Sequence, residues 1–206
     1  MTYPDSILFK VTKPARYTGG EWNSIARDWH KADIRIALSY PDLYEIGMSN
    51  MALPILYQLL NSQPGVLAER VFAPWPDMAE ALKAADSPLL SLESSHPLKE
   101  FDIIGFSLGY ELTFTNVLSM LHLSRIPAFA VDRDDSCPIV IAGGSCALNP
   151  EPMADFIDFF VIGDAEELLP QLIACFRDWK GRAKKPPRKE LLRQAATSRH
   201  LCTQPL

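Results

Sequence analysis

The segment Phe101-Asp102-Ile103-Ile104-Gly105-Phe106-Ser107 narrows the folds open to this chain more than any other stretch. It is almost wholly apolar over the length of one strand, the pattern of a strand buried on both faces. Such a strand needs a covering layer on each side, and parallel strands joined by helices supply both layers. The rest of the chain follows the same rhythm. Short apolar runs at 33–40, 69–73, 138–142 and 156–162 read as further strands, and amphipathic stretches at 49–61, 76–85, 111–124 and from Gly163 to Trp179 read as helices. The run 89–92 fits either an extra edge strand or an extended connection. Five strands, each followed by a helix or a turn, predict a flavodoxin-like, Rossmann-like, doubly wound parallel sheet in the order 2-1-3-4-5.

That topology gives the loops after the strands a common edge, where open α/β sheets bind ligands. The first such loop is Tyr40-Pro41-Asp42-Leu43-Tyr44-Glu45-Ile46-Gly47, with Ser49 and Asn50 as cap types for the helix that follows. Asp42 offers an acceptor, Tyr44 an aromatic hydroxyl, and Gly47 a place where backbone or ligand can approach closely. Ser107 adds a hydroxyl after the third strand, and Gly143-Gly144 removes side chains after the fourth. Each also has a plain structural reading: Asp42 and Ser107 as caps, Tyr44 as a packed aromatic, the glycine pair as a turn. Acids at Asp164, Glu166 and Glu167 suit the positive end of the last helix and disfavour a phosphate there. Neither a P-loop nor GxGxxG is present. Gly105-Phe106-Ser107-Leu108-Gly109 does fit the GxSxG of a hydrolase elbow, yet the histidines after Ser107 are His122, in the adjoining helix, and His200, in the basic tail.

Charge and composition bound the remaining classes. From Lys180 onward there are eight Lys or Arg against one acid, whereas the formal charge of all 206 residues is −5, so the body is acidic and the tail basic. We read 1–32 as an arm packed on the domain, 33–179 as the α/β domain, and 180–206 as a basic linker or tail; nucleic acid is indicated by nothing beyond that tail. Cys137, Cys146, Cys175 and Cys202 show no CxxC spacing, and His30, His96, His122 and His200 are dispersed, so neither a disulfide framework nor a zinc site is signalled. No apolar run is long enough to span a membrane, and the amino end lacks the apolar core of a signal peptide; the expected location is the cytoplasm, with no membrane partner.

Several blocks in order carry a resemblance over residues 13–180: Ala15-Arg16-Tyr17-Thr18-Gly19-Gly20-Glu21-Trp22-Asn23, the Tyr40 to Ser49 loop, Glu69-Arg70-Val71-Phe72-Ala73-Pro74, Phe106-Ser107-Leu108-Gly109-Tyr110-Glu111-Leu112, Ala142-Gly143-Gly144 and Asn149-Pro150-Glu151-Pro152. Together they resemble the amino-terminal, cobalamin-binding-type half of an Fe-S oxidoreductase-like family of radical S-adenosylmethionine proteins. The resemblance implies a cobalamin module at 33–179, preceding an iron-sulfur barrel in cis that carries the S-adenosylmethionine and 4Fe-4S cofactors. It implies Asp42, Tyr44, Gly47, Ser107, Gly143 and Gly144 as cofactor-binding residues. Cobalamin modules commonly carry DxHxxG, with the His as lower cobalt ligand; here the positions are Asp42, Tyr44 and Gly47, and a phenol is a poor neutral ligand at pH 7. Two readings follow: cobalamin bound without a protein ligand, its tail along Ser107 and Gly143-Gly144, or a pocket that keeps only the fold. The chain has no CxxxCxxC, so radical chemistry is not expected from these residues alone. Ser198 to Leu206 departs from the family-like Pro-Gly-Ile-Tyr-Val-Pro-Ser-Leu. A codon string for the observed residues yields that segment when shifted by one base, and the expectation is a frame change close upstream of Ser198 and truncation before the barrel. The expected role is a cofactor-binding module, not a complete enzyme. The alternatives are a cofactor-free interaction or regulatory domain and, ranked below it, a serine hydrolase using Ser107.

Overall fold

The computed structural model describes residues 2–182, 186–196 and 201–203. The elements in chain order are α1 (Asp5–Leu8), β1 (Ile34–Tyr40), α2 (Tyr44–Ser49), α3 (Ala52–Ser62), β2 (Val66–Phe72), α4 (Pro76–Ala84), β3 (Ile103–Ser107), α5 (Phe114–Leu123), β4 (Ile139–Gly143), β5 (Phe159–Val161), α6 (Ala165–Gly181), α7 (Arg188–Ala196) and β6 (Leu201–Thr203), joined in part by 3-10 turns. The first five strands are parallel and lie in the order β2-β1-β3-β4-β5, as the apolar runs predict. A sixth strand, not expected from sequence, pairs antiparallel with β5.

Alternation along each strand divides the core into two layers. Ile36, Leu38, Ile103, Ile141 and Phe159 face α3 and α6. Ala37, Ile104, Phe106, Val140 and Phe160 face α4 and α5. Register sets Leu38 beside Gly105, Gly105 beside Ile141, and Ile141 beside Phe159, so one row on the α3/α6 side is interrupted by a residue with no side chain. The next position on that side pairs Ser107 with Gly143, both small.

The loop expected between Asp42 and Gly47 is largely helical, because α2 fills Tyr44–Ser49 before the chain turns extended at Asn50. Asn50 then opens α3, its Oδ1 accepting from the backbone N–H of Ala52 at 2.9 Å and of Leu53 at 3.3 Å. The run 89–92 is a connection: it makes a single bridge, Leu90 to Pro97. Strand β2 begins three residues earlier than expected, and β5 is shorter than 156–162.

The arm is an integral layer. Tyr3, Ile7 and Val11 enter the core on the α4/α5 side. Farther along, arm and loop side chains seal the outer edge of β2, whose backbone would otherwise be open to pairing. Arg27 donates to the Val66 carbonyl at 3.0 Å. Asn61 on α3 both donates to the Ala68 carbonyl at 3.0 Å and accepts from its N–H at 3.1 Å, replacing a neighbouring strand. Glu93 accepts from the Arg70 N–H at 2.7 Å, and the Leu92 N–H donates to the Arg70 carbonyl at 2.9 Å. The Arg70 guanidinium, 3 % exposed, also pairs with Glu93 at 2.6 Å and with Glu21 at 3.5 Å and lies 4.7 Å from the Tyr57 ring centre. Burial lifts the Glu93 carboxyl above the usual range, against the pull of Arg70.

The segment read as a basic linker is not uniformly solvated. Arg188 is buried at the start of α7, where it pairs with Asp158 and donates to the Pro138 carbonyl at 2.9 Å. Arg133 reaches the same carboxylate at 3.3 Å, so two buried cations share one anion at the amino edge of β5. Leu191 of α7 joins the α3/α6 core layer. Lys184, Lys185 and the frame change placed near Ser198 lie outside the described residues.

Candidate functional site

Parallel strands deliver their following loops to one edge, and here those loops are tied together. The Asp42 carboxylate accepts from the Leu43 N–H at 2.7 Å with one oxygen and from the Tyr110 hydroxyl with the other. Asn116 donates to the Pro41 carbonyl at 2.9 Å. These contacts bridge the loops after β1 and β3, the adjacent strands whose connections depart to opposite sides, which is the switch point of the sheet. The Tyr110 phenol is pushed up to about 12, first by its hydrogen bond to Asp42 and then by burial. The loops after β3 and β4 are joined in turn: the Leu108 N–H donates to Gly143 at 2.7 Å, and Ser145 Oγ donates to the Gly109 carbonyl at 2.9 Å.

Beneath this rim, between the sheet and the helices α3 and α6, lies a cavity of about 250 Å³. It runs from Ile36 and Ile103 in mid-sheet to Ser107, Gly144 and Gly163 at the strand ends, with Leu56 and Leu169 among its helical walls. The space exists because Gly105, Ser107 and Gly143 occupy neighbouring positions where larger side chains would otherwise fill the layer. A Cβ on Gly105 would meet Ile141 at an ordinary 3.6 Å, so the backbone does not require glycine there. Ser107 and Glu166 are the polar side chains of the lining. Ser107 Oγ makes no hydrogen bond among the described residues, and Glu166 is exposed on the first turn of α6.

Of the six residues singled out from sequence, Ser107, Gly143 and Gly144 line this cavity, whereas Asp42, Tyr44 and Gly47 do not. Asp42 braces the rim above it. Tyr44 turns to the arm: its hydroxyl donates to Glu21 at 3.0 Å and its ring meets Phe72 edge-on at 5.4 Å. Burial, then the Glu21 charge, raises its pKa. Gly47, where a close approach of backbone or ligand is expected, is approached by the Phe72 ring, which occupies the space a side chain would take. Gly144 is glycine for a backbone reason as well, since φ is +100° and a Cβ would stand 2.6 Å from the Leu108 carbonyl oxygen.

Among the described residues, Ser107 joins no hydrolase constellation. It is the last residue of β3, is not among the positive-φ residues, and hydrogen-bonds to no described histidine. His122 is exposed on α5, which packs on the other side of the sheet. Sequence reasoning missed Gly105, Gly163 and the α3 and α6 walls. Gly105 carried a usable signal: an isolated glycine inside an otherwise bulky, doubly buried strand marks a close approach.

A model of the family described as radical SAM proteins, N-terminal, matches residues 52–202, well over half of the chain. No curated protein matches it.

Proposed function

This chain belongs to the family of radical SAM N-terminal domains, and from that premise we propose that it is a cofactor-holding module whose cavity takes the aromatic tail of a cobalamin-type corrinoid. The observation that carries the reading is the run of small positions Gly105, Ser107 and Gly143, which opens an apolar slot reaching the carboxyl edge of the sheet. The slot suits a planar ring: its walls are aliphatic, and its inner polar side chain, Ser107, is unengaged among the described residues. Tyr44 supplies no lower ligand in this reading, because its hydroxyl is committed to Glu21 and its raised pKa disfavours the phenolate. Asp42 and Tyr110 would support the macrocycle from the rim. When bound, a corrinoid supplies radical or group-transfer chemistry; this chain's part is to hold and orient it and to keep water from the slot. The iron-sulfur cluster and S-adenosylmethionine belong, in the same reading, to a barrel domain joined to this one.

Mixing the protein with hydroxocobalamin and desalting tests the proposal. A corrin spectrum that travels with the protein is expected, and colourless protein refutes it. The second reading, a cofactor-free docking domain, is favoured by exposed apolar side chains on the rim loops: Met51, Leu112 and Leu148 are 78 %, 83 % and 74 % exposed. Colourless protein that captures a separately produced radical SAM barrel would support it.

A further inference from the structure

We propose that the carboxyl edge of the sheet is a docking face for a protein partner that presents Lys or Arg around an aliphatic centre. The proposal rests on the docking reading above and is independent of the corrinoid one, since it concerns the outer surface of the rim and not the slot within it. The apolar part of the face comes from several loops. Met51 at the head of α3, Leu112 after β3 and Leu148 after β4 are largely exposed, and Ile46 on α2 and Ile55 on α3 are half-exposed. These loops form one rim: Asp42 accepts from Tyr110 across the loops after β1 and β3, and the Cys146 N–H donates to the Leu108 carbonyl at 3.1 Å across those after β3 and β4. One aliphatic side chain in water needs no explanation, but several on neighbouring loops of one rim mark a surface that is covered in use.

Charge decides what covers it. The stretches 36–69, 100–121 and 134–176, which include the connections leaving β1, β3, β4 and β5, contain no Lys, Arg or His. The arm brings Lys13 and Arg16 to this edge, and both pair with Glu45. Glu111, Asp164, Glu166 and Glu167 are exposed there and enter no ion pair among the described residues. The positive end of α6 points the same way, but its own first-turn acids already answer it. Such a face repels nucleic acid and an anionic bilayer, and a second copy of the chain would bring the same acids against themselves. The basic stretch of this chain does not supply the partner surface where it is described, because Arg188 is held by Asp158 at the opposite edge of the sheet. A cationic rim around an aliphatic centre is the complement that remains.

Fluorescence anisotropy of the full chain with a labelled helical peptide, a Leu stripe flanked by Lys, tests this against the same peptide with Glu in place of Lys. The Lys peptide is expected to bind at least about tenfold more tightly. Leu112→Ser and Leu148→Ser should each weaken it by about five- to thirtyfold, the loss of one side chain at the centre of an interface; both side chains lie in solvent, so the fold is not at stake. Glu167→Lys should weaken it more than Asp178→Lys, which makes the same charge change at the other end of α6. Equal binding of the Glu peptide, or an equal loss from Asp178→Lys, would reduce the effect to overall charge and overturn the docking face. Binding of neither peptide overturns it outright, and a dimer that Leu112→Ser dissociates overturns it in favour of a second copy. Hydroxocobalamin retention, measured on the same samples, reports on the slot alone, so its failure leaves this face standing.

Discussion

Replacing Gly105 by alanine or valine is expected to make the protein more stable and less able to hold a ligand, a combination that separates a binding slot from a packing flaw. Gly105 lies in a regular strand, and its new Cβ would touch Ile141 at 3.6 Å and 3.7 Å, contacts that need no adjustment. Removing glycine from a strand interior is worth about 0.5–1 kcal/mol through the unfolded chain, and burying one methyl group adds about 0.8 kcal/mol. Gly105→Ala is thus expected to gain about 1–2 kcal/mol, which for a chain of this size raises Tm by about 2–8 °C. Gly105→Val places two further methyl groups in the cavity of about 250 Å³, directly between Leu38 and Ile141. Its retention of hydroxocobalamin should fall by more than about tenfold, 1.4 kcal/mol. Thermal unfolding followed by circular dichroism gives the first quantity and corrin absorbance after desalting the second. A stabilised variant that still captures the corrinoid would show that the ligand lies elsewhere, and a destabilised alanine variant would show that the space at β3 is not free.

Three other outcomes follow from contacts outside the slot. Asp158→Asn leaves the buried Arg133 and Arg188 facing each other without their shared anion, and should cost about 3–5 kcal/mol, a fall in Tm of about 6–20 °C; a loss below about 1 kcal/mol would mean the cluster is effectively solvated. Tyr44→Phe removes the hydroxyl that donates to Glu21 and should cost about 0.5–1.5 kcal/mol of stability in urea titration with corrinoid retention unchanged, whereas reduced retention would return Tyr44 to the site. His96, stacked on Trp29 with ring centres 3.6 Å apart, is held below the usual histidine pKa by burial, against the pull of Glu69 and Glu100. The unfolded chain therefore takes up the proton first, so this stability is present above about pH 6.5 and is lost as pH falls through that value towards the lower native pKa. Urea midpoints read by tryptophan fluorescence should show this slope, and His96→Gln should flatten it; an unchanged slope refutes the assignment.

The order of the sheet was legible because each parallel strand is a self-contained apolar run with its helix beside it, and handedness leaves few ways to wind such units. The slot was only half legible. Ser107 and Gly143-Gly144 announce themselves at strand ends, but a cavity depends on what is missing from two adjacent strands at once, and the register that sets Leu38, Gly105 and Ile141 in one row is not written in any local stretch. Tyr44 and Gly47 show the reverse, a local pattern whose partners are distant in sequence. Their spacing fits a cofactor loop, yet Phe72 on β2 and Glu21 in the arm, both distant in sequence, claim them for packing. Arg188 was hidden in a basic Pro-containing stretch, where its neighbours suggested solvent and its buried partner Asp158 lay 30 residues away.

The sealing of the β2 margin by Arg27, Asn61 and Glu93 bears on how the molecule can be cut. A fragment begun at the first strand, where the α/β pattern starts, would keep Asn61 and Glu93 on that margin but lose Arg27, leaving the Val66 carbonyl uncapped, together with an arginine at position 70 stripped of its Glu21 partner. Such a fragment is expected to self-associate side by side. The segment ahead of the sheet therefore belongs to the folding unit, which is defined by what caps its border and not by where its alternating pattern begins.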